Sequence, residues 1–130
     1  VLARNFMRIT AVEANPSAAS DLRGGLAKIS PASVAIEATT LEFLRRAVLD
    51  RDRPELVVLD PPRAGAGLEV CDLLSRLSPG EIVYVSCDPL TLARDLAALQ
   101  PHYRVTALQL VDLFPQTAHL ETIATLNRIS

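Results

Sequence analysis

One thiol and three carboxylates stand where this sequence could do chemistry. Cys87 follows the apolar run Ile82-Val83-Tyr84-Val85 and precedes Asp88-Pro89, a pair that opens a helix. A thiol at the mouth of a helix lies near unpaired backbone N–H groups, which favours the thiolate and hence a nucleophile. The neighbouring Asp88 opposes that effect. Asp60 ends the run Leu56-Val57-Val58-Leu59, and Pro61-Pro62 fix it in a turn. Glu13 ends an earlier run at Val12, and Glu121 stands just before a late one. Ligands of open α/β sheets gather at the carboxyl ends of the strands, so these residues form one set. It holds an acid able to grip a ribose, an acid in a rigid turn, a thiol and a further carboxylate.

Each residue also has a plainer reading. Cys87 is equally a small buried hydrophobe, Asp60 a turn former, and Glu13 a solvated acid. Cys71 lies on a helix rich in Leu and Val and is read as core. Arg63 suits either a phosphate or the open surface. His102 beside Pro101 is read as a surface residue. His119-x-Glu121 lacks the additional ligands that a zinc site requires, so no metal is expected.

The elements that must hold these residues alternate between short apolar runs and helical patterns. This is the mark of an α/β fold with a mostly parallel sheet. Strands are expected over 9–12, 34–36, 56–59 and 82–85. Asn15 is the expected N-cap of a first helix with Pro16 in its first turn, and Asp88-Pro89 opens a helix running to about residue 99. Further helices are expected over 41–49 and over 68–77, the latter stopped by Pro79-Gly80. Two strands, 103–110 and 122–126, follow with no helix between them, joined by a loop containing Phe114-Pro115. A terminal antiparallel pair of this kind is common on a parallel sheet. Repeats, linkers and low-complexity tracts are not seen.

The 130 residues fit one domain, and the 49% of apolar residues are enough for a core. No apolar run is long enough to span a membrane. Two cysteines without metal or redox spacing suit an intracellular, reduced and here cytoplasmic setting. The net charge of −2 gives no basic footprint, which argues against this segment gripping RNA by itself.

Taken in order, three blocks carry a resemblance. They are Asp60-Pro61-Pro62-Arg63-Ala64-Gly65; Val83-Tyr84-Val85-Ser86-Cys87-Asp88-Pro89 with Thr91-Leu92-Ala93-Arg94-Asp95; and Asp112-Leu113-Phe114-Pro115-Gln116-Thr117-Ala118-His119-Leu120-Glu121. The sequence resembles the S-adenosylmethionine-dependent RNA (uracil-5)-methyltransferases, over nearly its whole length. The resemblance implies a Rossmann-like methyltransferase fold, S-adenosyl-L-methionine as cofactor and tRNA or rRNA as partner. It implies residues 1–130 as part of one catalytic domain. Cys87 takes the place of the nucleophile that adds to carbon 6 of uridine, and Glu121 that of the base removing the carbon 5 proton. Glu13 matches the acid that holds the cofactor's ribose, and Asp60 a contact to cofactor or target base. The base would have to leave its stack to react.

The chain departs from the family's pattern at three points. Asp88 stands where Asn is usual, adding a negative charge beside the thiol. Thr40 stands where an Asn contacting the cofactor is common. The glycine-rich turn and first strand that cradle the cofactor would precede Val1, as would the family's RNA-binding regions. That strand belongs between those at 9–12 and 56–59. The expectation is therefore a piece of a longer protein, or a sheet completed by rearrangement or by a second copy of the chain. Weak or absent activity is expected of this stretch alone. A catalytically silent domain that binds RNA or a protein is the competing reading. An amino-methyltransferase of the same fold fits less well, because the thiol follows one strand after Asp60-Pro61-Pro62-Arg63.

Overall fold

The computed structural model describes residues 5–112 and 120–130 of the chain. The chain divides into two compact units, 1–46 and 47–130.

The first unit holds β1 (Thr10–Glu13), α1 (Pro16–Ile29), β2 (Val34–Glu37) and the start of α2 (Thr40–Leu49). β1 and β2 pair in parallel, with Glu13 opposite Glu37. Asn15 caps α1 as expected, its Oδ1 accepting the N–H groups of Ser17 and Ala18 at 3.0 and 3.1 Å. Pro16 occupies the first turn, where its missing N–H is not needed. A reciprocal box opens α2. The Glu42 N–H donates to Thr39 Oγ1 at 3.2 Å, and Glu42 Oε2 accepts the Thr39 N–H at 2.9 Å.

The second unit is a four-stranded sheet in the order β3-β4-β6-β5, with α3 (Leu68–Leu77) and α4 (Pro89–Leu99). β3 (Leu56–Leu59) and β4 (Glu81–Ser86) run parallel, while β6 (Glu121–Arg128) pairs antiparallel with both β4 and β5 (Tyr103–Val111). β4 and β6 alternate strictly, burying Ile82, Tyr84 and Ser86 on one strand and Thr122, Ala124 and Leu126 on the other. These six are direct cross-strand partners, so one sheet face is a continuous buried layer. Val70, Cys71, Leu73, Leu74 and Leu77 of α3 and Leu92 and Leu99 of α4 add to the core.

The terminal antiparallel pair forms as expected, and it is longer than the apolar pattern. A register shift between Val105 and Ala107 leaves Thr106 without a partner across the ladder. Its hydroxyl compensates by donating to Asn127 Oδ1 at 2.8 Å. Parallel and antiparallel pairings are equal in number among the described residues, because β6 inserts between β4 and β5.

Candidate active site

Cys87 is the first residue after β4, and Glu121 is the first residue of β6. The last register pair of the two strands is Ser86 with Thr122, so Cys87 and Glu121 each lie one residue beyond it, at the same end of the sheet. By strand alternation Glu121 lies on the face opposite buried Thr122. Both Cys87 and Glu121 are partly exposed. Leu59 pairs with Tyr84, which sets exposed Asp60 one step further on the neighbouring strand, at the same end of the sheet. Three of the sequence-derived site residues thus lie at one end of the sheet of the second unit.

The other two lie in the first unit. Glu13 ends β1, half-buried, and its Oε1 accepts the Asn15 N–H at 2.8 Å. Thr40 is the exposed first residue of α2. Residues 113–119, which include Phe114, Pro115 and His119, lie outside the described residues.

The turn after Ser86 is built locally. Ser86 Oγ donates to Asp88 O at 2.9 Å and accepts the Asp88 N–H at 3.1 Å. Asp88 Oδ1 then caps α4, taking the N–H groups of Leu90 and Thr91 at 2.9 and 3.0 Å. Those bonds, that of Thr91 foremost, hold its carboxyl below the ordinary carboxylate range, with help from Arg63. Asp88 therefore caps the helix as the family's usual Asn would. Cys71 is fully buried, and burial, followed by the charge of Asp95, pushes its thiol up to about 11. The core reading of Cys71 holds.

Sequence reasoning assigned no role to Asp95, Tyr84 or Arg94. Asp95 is completely buried on the inner face of α4. Its Oδ2 accepts the Tyr84 hydroxyl at 2.6 Å, the Ala66 N–H at 2.8 Å and the Gly67 N–H at 3.2 Å. Its Oδ1 pairs with Arg94, whose Nε lies at 2.9 Å. Burial alone would raise the carboxyl, but the bonds from Tyr84, Arg94, Gly67 and Ala66 outweigh it and keep the group below its ordinary value. The same burial and the bond to Asp95 raise the Tyr84 hydroxyl well above its usual value. A signal was present: Leu92, Asp95 and Leu99 share one helical face, and an acid on an apolar stripe needs buried partners.

The family model described as tRNA (uracil-5-)-methyltransferase matches residues 26–129, a span that holds Thr40, Asp60, Cys87 and Glu121 but not Glu13. The chain belongs to this family. It is 36% identical over 122 residues to the 23S rRNA (uracil(747)-C(5))-methyltransferase RlmC of Salmonella paratyphi B, covering 94% of this chain and 32% of that protein. The RlmC of Citrobacter koseri is 37% identical over the same shares. The chain thus spans about a third of the length of the curated relatives it matches. Among solved structures, the Pyrococcus abyssi tRNA (uracil-54, C5)-methyltransferase in complex with S-adenosyl-L-homocysteine superposes with a TM-score of 0.75 at 32% identity, over 96% of this chain and 30% of that one. A putative SAM-dependent methyltransferase of Streptococcus mutans has a TM-score of 0.76 at 9% identity, over 95% of this chain and 39% of that one, which speaks for the fold alone. The Rossmann-like methyltransferase fold expected from the sequence is the fold of the chain.

Among the described residues no helix is long and apolar enough to cross a membrane. Among the same residues no cluster of three or more His, Cys, Asp and Glu side chains could hold a metal.

Proposed function

We propose that this chain is the catalytic part of an RNA methyltransferase that modifies carbon 5 of a uridine in tRNA or rRNA. The observation that supports the reading is that Cys87 and Glu121 each lie one residue beyond the last β4–β6 register pair, Ser86 with Thr122, at one end of the sheet. Family membership supports it.

Carbon 5 of uracil is a poor nucleophile. The Cys87 thiolate adds to carbon 6, forming a carbon–sulfur bond and moving the ring electrons onto an enolate that makes carbon 5 reactive. S-adenosyl-L-methionine, when bound, supplies the electrophilic methyl group that carbon 5 takes. The Glu121 carboxylate then accepts the proton still on carbon 5, the double bond re-forms, and Cys87 leaves as thiolate. A single residue pair thereby opens and closes the covalent adduct.

The residues present suit that cofactor. Glu13 is anchored through one carboxylate oxygen, an orientation that suits ribose hydroxyls. Asp60, exposed after β3 and followed by two prolines, is the contact to cofactor or target base, and Thr40 offers a hydroxyl. Asp88 leaves α4 capped, so this departure from the family's pattern does not by itself disable the turn that carries Cys87.

The experiment is methyl transfer from labelled S-adenosylmethionine to tRNA and to rRNA fragments by the intact protein that carries this chain, with nucleoside mass spectrometry of the product. Appearance of 5-methyluridine is the expected result. Methylation at any other atom, or none on any RNA, would overturn the reading.

A further inference from the structure

The turn that follows Asp60 is tied to α4 at four residues, Arg63, Ala64, Ala66 and Gly67. The Thr91 hydroxyl donates to Arg63 O at 2.9 Å, and Arg94 Nη2 donates to Ala64 O at 2.9 Å. Asp95 Oδ2 takes the N–H groups of Ala66 and Gly67, and the Tyr84 hydroxyl accepts the Ala66 N–H as well, at 2.9 Å. Gly65, at φ +78°, is the one residue of the stretch where a side chain would strike the tie: an added Cβ would stand 2.6 Å from Asp95 Oδ2 and 2.7 Å from Arg94 Nη2. Gly67, which opens α3, has no side chain to cap that helix. The Asp95 carboxylate instead holds the two N–H groups just ahead of the helix, those of Ala66 and Gly67, and so lies near the positive end of α3.

Asp60 lies just before this tied stretch, and Cys87 lies just before the helix that ties it. Tyr84, three residues ahead of Cys87 on β4, joins the same carboxylate. A buried carboxylate whose two oxygens both accept hydrogen bonds is rigid, because every alternative arrangement leaves a polar group unpaired in the core.

We infer that Asp95, with Tyr84, is a positioning residue: it locks the 60–67 turn to α4 and so fixes Asp60 and Arg63 relative to the Cys87 thiol. The inference rests on the function proposed above, and it names residues that touch neither RNA nor cofactor. Loss of the lock lets the turn drift from the thiol while the sheet and its core stay folded.

The test uses the intact protein and three variants: Asp95→Asn, the milder Tyr84→Phe, and the core variant Leu74→Ala as a stability control. All are compared at equal distance below their thermal midpoints. Two readouts are taken: trypsin cleavage of the Arg63–Ala64 bond in the folded protein, and kcat and KM for uridine methylation. The lock predicts, for both Tyr84→Phe and Asp95→Asn, cleavage about tenfold faster and kcat about tenfold lower, with KM for RNA within about twofold. Leu74→Ala should change neither at matched stability. Cleavage and kcat in the turn variants that match Leu74→Ala would overturn the inference. Wild-type protein that methylates no RNA would overturn the proposed function instead, and the cleavage ratio alone would then decide whether the lock exists.

Discussion

Ser86 and Thr122 face each other as the last pair of the β4–β6 ladder, both buried, with the two proposed reacting groups one step beyond them. An antiparallel pairing is a strict ruler: the register that matches Tyr84 with Ala124 ends at this pair, with Cys87 the next residue after β4 and Glu121 the residue before Thr122 on β6. The proposed nucleophile and base thus flank one register pair, although 34 positions separate residues 87 and 121 in the chain.

Glu121→Gln should uncouple the two halves of the reaction. Addition of Cys87 to carbon 6 survives, but no carboxylate takes the carbon 5 proton. The methylated adduct should then persist on ordinary uridine RNA, with turnover lower by about 10²- to 10⁴-fold. A band of protein–RNA adduct on a denaturing gel, present in the variant and scarce in wild type, checks this.

The two thiols should differ in reactivity. Cys71 is 1% exposed and its thiol is pushed up to about 11, whereas Cys87 is partly exposed. Brief treatment with iodoacetamide at pH 7.5 should label Cys87 and spare Cys71 until denaturant is added, as read by peptide mass spectrometry.

Gly65→Ala should destabilise the second unit. The backbone there sits at φ +78°, and the new methyl group would meet the Asp95–Arg94 pair below 3 Å. Backbone strain of this kind costs about 1 to 3 kcal/mol, so a lowered urea midpoint is expected. Gly24→Ala, where an added Cβ meets nothing within 4 Å, should not lower it.

Asp95 should make stability fall on the acid side. Its carboxyl is held below the ordinary value when folded, so the unfolded chain binds its proton more readily. The stabilisation is therefore present above the unfolded value near 4 and is lost as pH drops through the folded value. Wild type should exceed Asp95→Asn in thermal midpoint at pH 6, and the gap should close as pH is lowered toward 3. A gap that widened with acid would mean the carboxyl is not held ionised.

Much of the fold was legible because its signals are local. Asn15-Pro16, Asp88-Pro89 and the apolar run at 56–59 each announce an element through a cap or a period, and each element begins within a residue or two of the expected place. Thr39-x-x-Glu42 also spelled a capping box, and it went unread. The length of β6 was not legible, because its last residues are polar and are ordered by pairing with β5. The role of Asp95 was hidden for a related reason. Its partners Ala66 and Gly67 lie 29 and 28 positions away, and only the packing of α4 against the turn brings them together. The proposed catalytic residues Cys87 and Glu121 were visible only as two residue types in a given order, while their place at one end of the β4–β6 pairing came from the register.

The most direct test of the account is covalent trapping on RNA carrying 5-fluorouridine, with cofactor present. Carbon 5 then bears fluorine, so Glu121 has no proton to remove and the adduct cannot resolve. Wild-type protein should shift on a denaturing gel by the mass of the RNA, with the modified peptide containing Cys87, and Cys87→Ala should not shift. An adduct that survives in Cys87→Ala, or none in a wild-type protein that methylates ordinary uridine RNA, would contradict the mechanism.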